Sequence, residues 1–240
     1  MLICSTHSIF AKEFSSSPEA TELIELYTSE GCSSCPPADK WLRQLKSNPQ
    51  LFTKFIPLSF HVDYWNQLGW EDRFSKKQHS DRQYRHQREG NISQVYTPGF
   101  VVNNEEWRSW RLGRLFHWPD SQKKVGIIRV DYRLNNLELN IFFTPEIPIN
   151  DKLLVINTAI LGMGLTSDIK LGENRGRQLK HDFVVLSQSR YQVKITKDKT
   201  QSWQVPLLPI PAEGQNQSVL VVWLSKVNSQ NVIQATGGYL

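Results

Sequence analysis

Glu25-Leu26-Tyr27-Thr28-Ser29-Glu30-Gly31-Cys32-Ser33-Ser34-Cys35-Pro36-Pro37-Ala38-Asp39-Lys40 is the stretch on which the reading of this chain turns. The apolar run Leu23-Ile24-Glu25-Leu26-Tyr27 predicts a strand, and Trp41-Leu42 with Leu45 follows at helical spacing. Between them lies a Cys-x-x-Cys, so the order is strand, dithiol turn, helix. Such a turn brings two sulfurs within bonding reach. At a helix N-terminus the unpaired N–H groups and the positive dipole end favour thiolate, lowering thiol pKa values to roughly 3.5–7.5. Pro36 and Pro37 suit a first helical turn, where proline sacrifices no hydrogen bond. With Ser33 or Ser34 as N-cap, Cys32 is expected just outside the helix, exposed and nucleophilic, and Cys35 becomes the resolving thiol.

Outward from this stretch, Phe52 to Val62 predicts a second strand, parallel to the first through a right-handed helical crossover. Glu71 to Glu89 is almost entirely polar and predicts a surface helix, with Lys76, Lys77, Arg82, Arg85 and Arg88 as a solvated face. Pro119, Asp120 and Ser121 are turn formers at a change of rhythm and mark a boundary. Beyond it, seven apolar segments separated by turn residues predict an antiparallel sandwich, Ig-like in outline: 125–132, 137–143, 152–161, 183–195, 203–208, 218–226 and 232–235. Leu134-Asn135-Asn136-Leu137 reads as a tight hairpin turn.

Four blocks in order carry a resemblance. They are Gly31-Cys32-Ser33-Ser34-Cys35-Pro36-Pro37-Ala38-Asp39; His61-Val62-Asp63-Tyr64-Trp65 with Leu68-Gly69-Trp70; Tyr96-Thr97-Pro98 with Val101-Val102-Asn103; and Gly172-Glu173-Asn174-Arg175-Gly176-Arg177 with His181. In these the chain resembles the mostly bacterial, often exported "domain of unknown function 1223" family. The resemblance implies an α/β thioredoxin-like domain over 21–118 and, with the strand pattern, an all-β Ig-like sandwich domain over 122–240. It implies further that Pro98 is cis and faces Cys32 and Cys35, and that the backbone of Thr97 offers an edge to an extended peptide. Two departures from thioredoxin stand out. Its buried acid, six positions before the first cysteine, is Leu26 here, with Glu25 alongside, and its active-site tryptophan is replaced by Gly31. The closing helix of such a domain also has little room between Asn104 and Trp118.

Among its 240 residues, 28 basic against 23 acidic side chains give a formal charge of +5, an excess too mild to indicate nucleic-acid binding. No apolar run approaches the ~20 residues of a transmembrane helix. Residues 1–20 are a candidate signal or disordered leader that lacks a basic n-region. Cysteine arithmetic leans toward a periplasmic or secreted protein, because of three cysteines only Cys32 and Cys35 would survive removal of the segment bearing Cys4.

The ring from Cys32 to Cys35 constrains the unfolded chain very little, so a reversible redox pair outweighs a structural staple. A structural zinc site would want four ligands, and there is no second Cys-x-x-Cys. Copper(I) held by Cys32, Cys35 and His61 remains chemically sound. His61-x-Asp63 and Glu25 are candidates for proton transfer, although the plainer reading sends the Glu25 carboxylate to solvent. Trp65 and Trp70, with Thr97 and Pro98, are candidates for a substrate groove, or equally for a packed loop sealing the sheet end. The Gly172 to Arg177 loop suggests a salt-bridged turn of Glu173, Arg175 and Arg177, or an anchor against the N-terminal half. The leading expectation is a thiol-disulfide oxidoreductase-like protein acting on protein thiols or disulfides, with no cofactor beyond its own dithiol. The alternatives are a copper(I) handler and a non-catalytic interaction scaffold.

Overall fold

The structure is a computed structural model that describes residues 12–112, 123–133, 137–196 and 199–240. In chain order its strands and helices are β1 (Lys12–Ser15), β2 (Glu22–Thr28), α1 (Pro36–Gln44), β3 (Phe55–His61), α2 (Lys77–Arg88), β4 (Gly99–Val102) and β5 (Glu105–Glu106). Then come β6 (Gly126–Arg133), β7 (Glu138–Pro145), β8 (Leu153–Met163), β9 (Leu165–Asp168), β10 (Gln178–His181), β11 (Val184–Lys194), β12 (Gln201–Pro206), β13 (Gln217–Lys226) and β14 (Val232–Tyr239).

β2 and β3 are fully buried and pair in parallel from Glu22 opposite Phe55 to Thr28 opposite His61, with α1 as the crossover. β4 adds antiparallel to the free edge of β2. The expected division into an α/β thioredoxin-like domain and a separate Ig-like sandwich is not what the chain forms. Strands from both halves make one eight-stranded sheet in the order β14-β13-β8-β11-β3-β2-β4-β5. The seam is narrow: Val184 pairs in parallel with Ser59, and the Ser59 N–H donates to the Phe183 carbonyl at 2.8 Å. Strand dominates, and α1 and α2 are the only α-helices among the described residues.

The second layer is the sheet β1-β6-β7-β12, to which the N-terminal strand contributes through Phe14 opposite Val130. In β7 alternation buries Leu139, Ile141 and Phe143, and these pack with Ile128, Val130 and Tyr132 on Ile156, Ile160, Leu220, Val222 and Leu224 of the large sheet. The opposite face of β8 and β13 is buried too, with Ala159, Leu161, Val219, Val221 and Trp223 joining the core around α1 and β2. Near-continuous apolar strands are what burial on both faces requires. A free-standing sandwich would leave one such face wet.

Helix α2 corrects a second expectation. It does not lie loosely on the surface: His79, Ser80, Arg82, Gln83 and His86 are buried at helical spacing. The buried face is polar rather than apolar, which is why hydropathy misses it. Arg82 lies over the Phe60 and Trp223 rings at 5.3 and 5.6 Å, so the helix is bound to strands of both halves. Lys77 does remain exposed, paired with Asp81 at 2.7 Å. The proposed boundary at Pro119 to Ser121, Cys4 with residues 1–11, and the 134–136 part of the hairpin turn lie outside the described residues.

Candidate active site

Cys32 and Cys35 form a disulfide with Cα atoms 5.5 Å apart. The helix N-cap is Cys35 rather than a serine, with Pro36 and Pro37 as the first helical residues, and its carbonyl accepts from the Ala38 and Asp39 N–H groups at 2.9 and 3.1 Å. Cys32 is not exposed as expected. It is 1% accessible and Cys35 is fully buried, while the intervening Ser33 and Ser34 face solvent. The Cys32 sulfur lies 3.4 Å from the hydroxyl of exposed Ser34.

The backbone of the dithiol turn is held by the far half of the chain. Buried Asn174 donates its amide to the carbonyls of Glu30 at 2.8 Å and Cys32 at 3.0 Å, and its own oxygen accepts from Arg177 at 2.9 Å. Glu173 accepts from the Ser33 N–H at 3.1 Å. The 172–177 loop is thus an anchor on the N-terminal half, worked chiefly through Asn174. Gly172 sits at φ +73° with its Cα against Gly69, and an added Cβ would come within 3.2 Å of the Trp70 Cβ. That close approach is why a glycine occupies the position.

A buried polar cluster joins the dithiol stretch through Glu30 and Asp39. His61 ends β3 and its Nδ1 meets Asp72 Oδ2 at 2.6 Å, while Asp72 also accepts the N–H groups of Glu30 and Phe74 at 2.9 Å each. The His61 ring packs edge-on against His181, with centroids 4.9 Å apart. Glu30 accepts from the Trp70 indole at 2.9 Å, and its Oε1 lies 3.2 Å from His181 Nε2, close but out of line for a hydrogen bond. Asp39, one helical turn beyond Cys35, accepts from the Thr28 hydroxyl at 3.2 Å. Burial pushes the Asp39 carboxyl above its ordinary value. Burial alone would lower His61, but the Asp72 carboxylate outweighs it and holds the imidazole up at about 9. His79, whose Nδ1 meets the His61 carbonyl at 2.9 Å, is pushed down by burial to about 3.

The predicted residues divide between two faces of the sheet. Glu25 is buried, not solvated, yet it points away from the dithiol: alternation along β2 sets it and Tyr27 against α2, while Thr28 reaches Asp39 of α1. The carboxylate on the dithiol face is therefore Asp39, which a helical offset from Cys35 would have shown. Asp63 is not the partner of His61; it accepts from the Ser80 hydroxyl. Trp65 donates to the Thr97 hydroxyl at 2.8 Å, and its Cβ stands 3.2 Å from where a Gly31 side chain would begin. The Thr97–Pro98 peptide is cis. Pro98 lines a cavity of about 340 Å³ with Tyr96, Arg108 and Trp110. A larger cavity of about 470 Å³, walled by Ala20, Asn103 and Pro145, touches neither cysteine. The residues that hold the site together and went unsingled in the sequence are Glu30, Asp39 and Asp72.

Comparison with known proteins yields structural neighbours and a family. A crystal structure of a protein from Agrobacterium tumefaciens is similar at 23% identity and a TM-score of 0.62, over 91% of this chain and 94% of that one. HBP35 of Porphyromonas gingivalis is similar at 12% identity and a TM-score of 0.62, over 94% of this chain and 76% of its own. These are likenesses of fold. No curated protein matches. The family described as "Protein of unknown function (DUF1223)" matches residues 23–224, a span that includes the dithiol, its cis-proline and the Asn174 loop, and the chain belongs to that family.

Proposed function

We propose that Cys32 and Cys35 are a reversible two-electron redox pair that exchanges disulfides with protein partners. The observation that carries this reading is the closed Cys32–Cys35 ring seated on the N-cap of α1, where the positive end of the helix dipole favours a departing or attacking thiolate. A bond that closes so short a loop adds little stability by constraining the unfolded chain, which favours a chemical over a structural role. In the exchange, a thiolate of a reduced partner attacks one sulfur and forms a mixed disulfide, and the other cysteine leaves as thiolate. The partner's second thiol then displaces the protein. Two electrons and two protons pass from the partner dithiol to Cys32 and Cys35, and the partner gains a disulfide.

Burial of both sulfurs makes access a matter of local opening at Ser33 and Ser34, the exposed residues between them. An exported setting, periplasmic or secreted, goes with this reading, since disulfides persist in oxidising compartments. No helix among the described residues is long and apolar enough to cross a membrane.

Cys35→Ser tests the exchange. With the resolving thiol gone, Cys32 is expected to accumulate as a stable mixed disulfide with an oxidised model peptide, seen by mass spectrometry. The wild-type chain should pass through it without accumulation. Absence of any adduct in a folded Cys35→Ser protein with a free Cys32 thiol would refute the reading.

A further inference from the structure

We propose that Asp39, His61 and His181 form a binding site for a zinc-class divalent cation, separate from the dithiol. Their potential ligand atoms all lie within 4.8 Å of one another, and the three residues are 7%, 0% and 2% accessible. They converge from α1, the end of β3 and the end of β10, so the fold rather than local sequence assembles them.

The hydrogen bonding around the cluster points to a missing partner. His61 commits Nδ1 to Asp72, which is itself fixed by two backbone N–H groups, and His61 Nε2 has no partner among the described residues. A carboxylate holding one ring nitrogen while the other faces an ion is the supporting arrangement around most metal-bound histidines. His181 makes no in-line hydrogen bond through either ring nitrogen, its Nε2 having only the charge contact with Glu30 Oε1 at 3.2 Å. Buried polar atoms almost always find hydrogen-bond partners, and His61 Nε2 and His181 Nδ1, which have none among the described residues, call for an explanation. A cation supplies it.

The donor set names the class. Two imidazole nitrogens and one carboxylate oxygen suit zinc and its first-row neighbours, whereas calcium and magnesium want oxygen donors and copper(I) wants soft sulfur. Neither cysteine sulfur belongs to the cluster, and both are committed to each other. Ligand bonds of about 2.0–2.2 Å in a tetrahedral site place donor atoms roughly 3.4 Å apart, so a contraction of up to about 1.4 Å closes the group. Glu30 Oε1, beside His181, offers a further oxygen. A bound ion would tie α1, which carries Cys35, to the β9–β10 hairpin of the C-terminal half.

The test uses the full oxidised chain, freed of metal with a chelator and titrated with Co²⁺ and then Zn²⁺. One equivalent of Co²⁺ is expected to give the visible bands of tetrahedral nitrogen and oxygen ligation, displaced by Zn²⁺. The same spectrum is expected from Cys32→Ser/Cys35→Ser, with no sulfur charge-transfer band. His181→Gln and Asp39→Asn should abolish stoichiometric binding, and Asp72→Asn should weaken it about 10–100-fold. Circular dichroism shows whether each variant is folded. If a ligand variant is not, the wild-type and double-serine spectra decide. No stoichiometric Co²⁺ or Zn²⁺ in the folded wild-type chain, full binding in a folded His181→Gln protein, or loss of binding with the cysteines would each overturn the proposal. The double-serine protein cannot exchange disulfides, so this test is independent of the redox reading.

Discussion

Replacing Arg82 with methionine should destabilise the fold by about 3–5 kcal/mol, the usual cost of leaving one member of a buried ion pair alone. Both partners belong to the N-terminal half, and Arg82 also reaches Gln230 and the Trp223 ring of the C-terminal half. Arg82 of α2 donates to both oxygens of Glu25 on β2, at 2.8 and 2.5 Å, and each side chain is 3% exposed. Tyr27 adds a hydroxyl at 2.7 Å, His86 approaches at 3.2 Å, and the far side of the guanidinium reaches Gln230 at 3.4 Å. Removing the cation strands a carboxylate in the core. Replacing both partners, as Glu25→Leu with Arg82→Met, should therefore cost less than Arg82→Met alone, and urea denaturation of the three proteins checks the order.

The same network fixes an acid limit. Burial alone would raise the Glu25 carboxyl, but Arg82 and His86 outweigh it and hold it far below the ordinary carboxylate range. Its folded pKa is thus depressed relative to the unfolded chain. The stabilisation is fully present well above the unfolded value, near 4.3, and is lost progressively as the pH falls through that value toward the folded one. Urea midpoints measured from pH 7 down to pH 3 should fall, and Glu25→Gln, already destabilised at pH 7, should show a shallower decline.

Asn174→Ala should cost about 1–3 kcal/mol, because it leaves the Glu30 carbonyl without its side-chain donor and the Cys32 carbonyl with only the Cys35 N–H. Asn174→Asp should be no milder, since a carboxylate cannot donate. The second readout is chemical. Asn174 pins the peptide on which the disulfide sits, so both variants should let an added thiol reduce the Cys32–Cys35 bond faster than it does in the wild type. Thermal denaturation and a timed alkylation assay measure the two effects on the same samples.

How much of this was legible beforehand depends on how local the physics is. Leu139-x-Ile141-x-Phe143 alternates as a half-buried strand must, and the strand at 138–145 was readable from it. The parallel pairing of β2 with β3 followed from the helix between them. The seam did not. One register pair, Val184 with Ser59, merges two sheets into one, and so short a contact leaves no periodicity in either strand. Polar helix α2 was misplaced for the opposite reason: its buried face is legible as a face, but only once Glu25, Gln230 and the Tyr96 carbonyl are known to meet it.

The site shows the same division. Cys32, Cys35 and the cis Thr97–Pro98 bond were marked by motif. Asp39 lies within the quoted stretch with no role read from it, although four positions from Cys35 puts it on the same helical face. Asn174 reaches the dithiol turn and His181 reaches His61 across more than a hundred residues of chain, juxtapositions that only the merged sheet creates. Glu30 and Asp72 are ordinary acids until their partners are in view.

Equilibrium with glutathione decides whether the Cys32–Cys35 pair is a working redox couple. The full chain is equilibrated across a series of reduced and oxidised glutathione ratios, quenched by alkylation and read by mass spectrometry. A reversible midpoint between roughly −270 and −120 mV, where exchanging dithiols fall, is the predicted result. A pair that stays oxidised below about −300 mV, in the range of structural disulfides, would contradict it.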